Sequence, residues 1–86
     1  MPTISSFFGI LIRMFYSDHA PPHFHAEYQG ERGSFDFAGN LIAGEMRSRV
    51  ALRLIKEWAS IHEGELLEDW RRSEQGLPMN YIAPLR

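Results

Sequence analysis

Three of the four histidines in this 86-residue chain fall within seven residues, at His19, His23 and His25, with Asp18 just before them and Glu27 just after. On a β-strand a His-x-His pair puts both imidazoles on one face, about 6.5–7 Å apart along the backbone, and Glu27 continues that face. Two histidines and a carboxylate form the ligand set of many zinc and non-haem iron sites. His23, His25 and Glu27 are therefore candidate ligands for a divalent metal such as zinc, with Asp18 or His19 able to swing in from the preceding loop. The same groups could act without metal. A neutral and a protonated imidazole on one face can serve as base and acid near pH 7, oriented by Asp18 or Asp36. That pair suits phosphodiester cleavage with Arg13 stabilising the developing charge, which makes His23, His25, His19 and Asp18 the catalytic candidates. A third reading is purely structural: histidines flanking Pro21-Pro22 can hydrogen-bond a tight turn to the sheet as rigid polar struts. The residues alone leave all three open.

The elements that must position this cluster follow from periodicity. Phe7 to Tyr16 (FFGILIRMFY) is β-branched and aromatic on both parities, which predicts a central strand covered on both faces except at Arg13. Ser17 to Pro22 is loop. From His23 to Gln29 the residues alternate, Phe24, Ala26 and Tyr28 against His23, His25 and Glu27, and Ser34 to Ala38 alternates likewise. Gly30 to Gly33 reads as the hairpin loop between them. An odd register with Tyr28 opposite Phe35 sets Glu27 opposite Asp36. Leu41 to Met46 is a further short strand. From Ser48, an N-cap residue, the period becomes helical, and Val50, Ala51, Leu54, Ile55, Trp58 and Ile61 share a sector of roughly 140°. Leu66, Leu67 and Trp70 lie on another sector, and Gly64 favours a break between the two. The expectation is one α+β domain: a small antiparallel sheet of three to four strands, about 7–16, 23–29, 34–38 and 41–46. Helical segments at about 48–62 and 64–75, and an extended tail over 79–85, complete it.

Composition narrows the function classes. Cysteine is absent, which removes disulfides, thiolate zinc sites and cysteine nucleophiles. A formal charge of −2 gives no global attraction to nucleic acid, so RNA binding requires a local patch. Arg49, Arg53 and Lys56 on one edge of the first helix could supply it, although such a stripe is more often a solvated face. Trp58 and Trp70 read as core or interface residues. Glu63, Glu65, Glu68 and Asp69 read as solvating charge. No secretion signal and no membrane span are legible, and the expected location is cytoplasmic.

The start MPTIS, the block DHAPPHFHAEY, the Gly44-Glu45 step, EWASIHEGELLEDW and the closing YIAPL together resemble the small prokaryotic proteins called domain of unknown function 4160. The resemblance covers nearly the whole chain. Its most specific part is the His-Pro-Pro-His-type block, here with Ala20 between His19 and Pro21. The resemblance implies no established reaction. It implies a setting among small bacterial operon proteins, toxin–antitoxin-like, with Asp18, His19, His23, His25, Glu27, Trp58, His62 and Trp70 as the positions that carry family function or fold. The leading reading is thus a toxin–antitoxin-like component with a His/Asp/Glu site on the polar sheet face, whose partner is a small protein encoded nearby or a second copy. The alternatives are a non-enzymatic interaction module and a metal-dependent or histidine-based ribonuclease.

Overall fold

Two hairpin turns, each with two successive residues in the left-handed region, set the sheet. Phe8 (φ 50°) and Gly9 (φ 81°) join β1 (Thr3–Phe7) to β2 (Ile10–Arg13), and Gln29 (φ 48°) and Gly30 (φ 82°) join β3 (Phe24–Tyr28) to β4 (Glu31–Phe35). Such turns match the right-handed twist of the strands they connect. With β5 (Leu41–Gly44) the strands form one antiparallel sheet in the order β1-β2-β3-β4-β5. Helices α1 (Arg49–Ile61) and α2 (Glu63–Glu74) follow. This computed structural model describes residues 2–86, and Met1 of the MPTIS start lies outside them.

The class is α+β as expected, with five strands rather than three or four. The segment 7–16 is not one strand: Gly9 accepts the positive φ that turns the chain, and Thr3 to Phe7 form the strand that pairs back on β2. β3, not that segment, is central. The β3–β4 loop is Gln29-Gly30 instead of Gly30–Gly33, so Tyr28 faces Glu31, Glu27 faces Arg32, and Phe24 faces Phe35. The slip from the expected register is even, and each side chain keeps its face. Asp36 lies past β4 and is removed from Glu27. Its carboxylate accepts the backbone N–H groups of Ala38 and Asn40, closing the turn that leads into β5.

One face of the sheet carries Phe7, Ile10, Ile12, Phe24, Ala26 and Phe35, which are buried in a core shared with Ala51, Ile55 and Trp58 of α1 and Leu66 and Trp70 of α2. Ser48 caps α1, its Oγ accepting the Ala51 N–H at 3.1 Å. The helical stripe is narrower than its pattern suggested, since Val50 and Ile61 remain exposed. The break falls at His62 rather than Gly64. His62 is both the C-cap of α1 and the N-cap of α2, and its Nδ1 stands 2.6 Å from the Glu65 carboxylate. The C-terminal tail is extended without being a strand. It is fixed by Ile82 N–H donating to the Ile4 carbonyl at 2.7 Å and by Trp58 Nε1–H donating to the Ala83 carbonyl at 2.9 Å.

Two predictions arise from this packing. Gly39 has φ +86°, and a Cβ there would stand 2.6 Å from the Cα of Lys56 in α1. Left-handed strain and overpacking each cost about 1–3 kcal/mol, so Gly39→Ala is expected to lose about 2–4 kcal/mol in denaturant unfolding. A loss below about 1 kcal/mol would show that α1 does not press on this turn. The second concerns Asp69, expected as solvating charge but in fact 1% exposed. Its Oδ1 accepts the Asn80 N–H at 2.8 Å, and its Oδ2 has no partner among the described residues. Burial pushes its pKa above 3.8 despite that hydrogen bond. The folded state therefore takes up a proton more readily than the unfolded chain. The resulting stability is fully present below pH 3.8 and is lost as pH rises through the folded pKa. Asp69→Asn keeps the acceptor and removes the charge. The variant is expected to be more stable than wild type at pH 7, with the difference shrinking on acidification, as followed by thermal unfolding across pH.

Candidate metal centre

The cluster forms where the loop between β2 and β3 folds back onto the start of β3. Ser17 (φ 54°) turns the chain, and its N–H donates to the Ser73 carbonyl of α2 at 3.4 Å, anchoring the residue before Asp18. The Asp18 carboxylate then divides its work: Oδ1 accepts the His19 N–H at 2.8 Å, while Oδ2 stands 3.0 Å from the Nε2 atoms of both His23 and His25. One ligand atom from each of Asp18, His23 and His25 lies within 4.8 Å of the other two.

Both rings are held from behind. His23 is buried, packs against Trp70 of α2 with ring centroids 5.4 Å apart, and donates Nδ1–H to the Pro21 carbonyl at 2.6 Å. His25, at the head of β3, has its Nδ1 3.3 Å from Ser34 Oγ on β4 and takes the Phe15 ring edge-on at 4.4 Å. Metal-binding histidines characteristically use the second nitrogen in this way, which fixes the tautomer and aims Nε2.

The chemistry of His23 is decided by its partners. A carbonyl oxygen can only accept, so Nδ1 carries the proton, and in the neutral ring Nε2 is a lone pair. That lone pair points at a carboxylate oxygen 3.0 Å away. The contact is repulsive unless a cation lies between the two atoms, either a second proton on the ring or a metal ion. Ligands bound at about 2.0–2.2 Å stand about 2.8–3.1 Å apart at octahedral angles and about 3.3–3.6 Å apart at tetrahedral ones, so the two 3.0 Å separations match adjacent corners of an octahedral shell and fall a few tenths of an ångström inside a tetrahedral one. Burial pushes the Asp18 carboxyl up. The His25 hydrogen bond, the His19 N–H and the charges of His23 and His25 outweigh it, and the net pKa is below 3.8. Asp18 is thus held as the carboxylate that a cation requires, and its contribution to stability is lost only as pH falls through that lowered value.

The remaining candidates are placed elsewhere. Glu27 shares the outer sheet face with His25, but its carboxylate is engaged by Arg13 Nη1 at 3.2 Å and lies near Arg32 Nε at 3.7 Å. His19 is largely exposed, its ring 5.2 Å from that of His23 and its Nε2 3.7 Å from Asp18 Oδ1. Arg13 sits directly opposite His25 across β2 and β3 yet is committed to Glu27. Lys56 bonds Asn40, and Arg49 and Arg53 are exposed on α1. The supporting roles of the Pro21 carbonyl, Ser34 and Trp70 have no signature in residue spacing, because they arise from the loop path and the β3–β4 pairing.

Beside the triad opens a pocket of about 410 Å³ lined by His19, Pro21, His23, Ser34, Ile42 and Ala43. Among the described residues no helix is long and apolar enough to cross a membrane. No curated protein and no solved structure matches the chain. A family model described as "Domain of unknown function (DUF4160)" matches residues 9–71, a span that holds the whole triad and most of both helices. The match covers well over half of the sequence, and the chain belongs to the DUF4160 family.

Proposed function

We propose that this protein binds one divalent transition metal, zinc or iron(II), through Asp18, His23 and His25, leaving coordination positions open for water or a ligand. The observation that carries the reading is the His23 ring, whose proton is committed to Pro21 while its free nitrogen faces the Asp18 carboxylate. Three protein ligands with open positions is the catalytic rather than the structural pattern of metal sites, and such a metal supplies a hydroxide near neutral pH. Hydrolysis is therefore the reaction class the site suits.

Elemental analysis of protein purified without a histidine tag tests this. About one equivalent of metal per chain, absent from His23→Ala, is the expected result. Metal-free protein that stays metal-free after incubation with zinc and with iron(II) overturns it. In that case His23 is an imidazolium and the cluster a proton-bridged strut.

The cellular role consistent with the family resemblance is that of a toxin–antitoxin-like component acting beside a small protein encoded nearby. Its support is the resemblance alone. Induced expression tests it: growth arrest by the wild type and not by His25→Ala is expected, and equal harmlessness of both removes the role of toxin.

A further inference from the structure

The pocket beside the triad differs in character from the outer sheet face. Its walls include Pro21, Ile42 and Ala43, its polar atoms come from His19, His23 and Ser34, and no lysine or arginine lines it. The arginines of the sheet face, Arg13 and Arg32, are drawn instead to Glu27. A phosphodiester seated here would find no fixed positive side chain to meet its charge and would set a sugar–phosphate backbone against apolar walls. A volume of about 410 Å³ suits a small molecule.

We infer that this pocket selects a small ligand with an apolar body and a single carboxylate, the carboxylate binding the open positions of the metal and the body lying against Pro21, Ile42 and Ala43. The inference rests on the metal reading above and adds the class of ligand. Three features support it together. The pocket shares His23 with the triad and Ser34 with the hydrogen bond behind His25, which sets it against the proposed metal position. The metal is the cation available there, which limits the ligand to one anionic group. The exposed Ile42 of β5 offers an aliphatic side chain at the pocket wall. His19 lines the same pocket with its Nδ1 3.2 Å from the Ala20 carbonyl, which leaves Nε2 to meet the second carboxylate oxygen.

Calorimetric titration of the zinc-loaded protein with phenylacetate, acetate and the dinucleoside phosphate UpU tests the inference. Phenylacetate is expected to bind at least about tenfold tighter than acetate, because its ring leaves water for the pocket. UpU is expected to bind no better than acetate. Ile42→Ser, a change at an exposed position, should bring phenylacetate within about threefold of acetate without altering zinc content. Equal affinities for the two acids, an unchanged preference in Ile42→Ser, or tighter binding of UpU would overturn the inference while leaving the metal site standing. Failure of the protein to hold either zinc or iron(II) would remove both readings, and the metal content measured beforehand separates the two cases.

Discussion

Zinc at a hundredfold excess over its dissociation constant is expected to raise the melting temperature of the wild-type protein by about 10–20 °C. A ligand that binds only the folded state contributes about 2.7 kcal/mol at that excess, and a domain of this size gains about 4–8 °C per kcal/mol. Asp18→Asn, His23→Ala and His25→Ala should each abolish the shift, since each removes one of three protein ligands. Glu27→Gln should retain it, because Glu27 is paired with Arg13 and lies outside the triad. The contrast between Asp18 and Glu27 is the informative part: strand alternation alone nominates Glu27, whereas the folded loop nominates Asp18. Loss of the shift in Glu27→Gln with retention in Asp18→Asn would reverse the assignment.

The largest expected effect on stability comes from Trp58. Its fully buried ring contacts Phe7 at 5.5 Å, Phe24 at 5.6 Å and His62 at 5.6 Å, and its Nε1–H holds the tail through Ala83. One side chain thus joins β1, β3, the α1–α2 junction and the C-terminal segment. Truncating a buried tryptophan costs about 3–5 kcal/mol, and loss of the tail hydrogen bond adds about 1 kcal/mol. A chain of this length has about 4–13 kcal/mol in all, so Trp58→Ala is expected to lower the melting temperature by about 15–50 °C or to prevent folding. Trp58→Phe keeps most of the ring and should lose only about 1–2 kcal/mol. A mild effect of the alanine variant in thermal unfolding would mean that the tail and helices are held independently of this residue.

Some of this architecture was legible in residue order. The alternation of Phe24, Ala26 and Tyr28 against His25 and Glu27 matches the faces of β3, whereas His23, expected on the same polar face, precedes the strand and is buried against Trp70; Ser48 marks the start of α1 as expected. Other features were hidden for identifiable reasons. Gly9 sits in a run of apolar residues that reads as one strand, and its turn is apparent only when Thr3–Phe7, with serines at two of its five positions, is seen paired with β2. Gln29 at positive φ carries no compositional signal, so residue order points to a loop at Gly30–Gly33 and to a register four residues away from the one that forms. Asp69 shares a run of acidic residues with Glu65 and Glu68, and its burial follows from the tail docking over it through Asn80.

The histidine cluster shows the same division. Spacing brings His23 and His25 together, but their common partner is set by the loop, which returns Asp18 to the head of β3 and leaves Glu27 to the arginines. The commitment of His23 Nδ1 to Pro21 is the observation on which the proposed cation site rests. That step depends on a backbone carbonyl, whose position no residue type encodes.

The central claim is most directly tested by X-ray absorption at the zinc edge on loaded, untagged protein. Scattering from two imidazole rings is expected, with the nitrogen and oxygen ligands at about 2.0–2.1 Å and the remaining positions filled by oxygen. A spectrum without imidazole scattering, or one in which His23→Ala leaves the imidazole count unchanged, would contradict it.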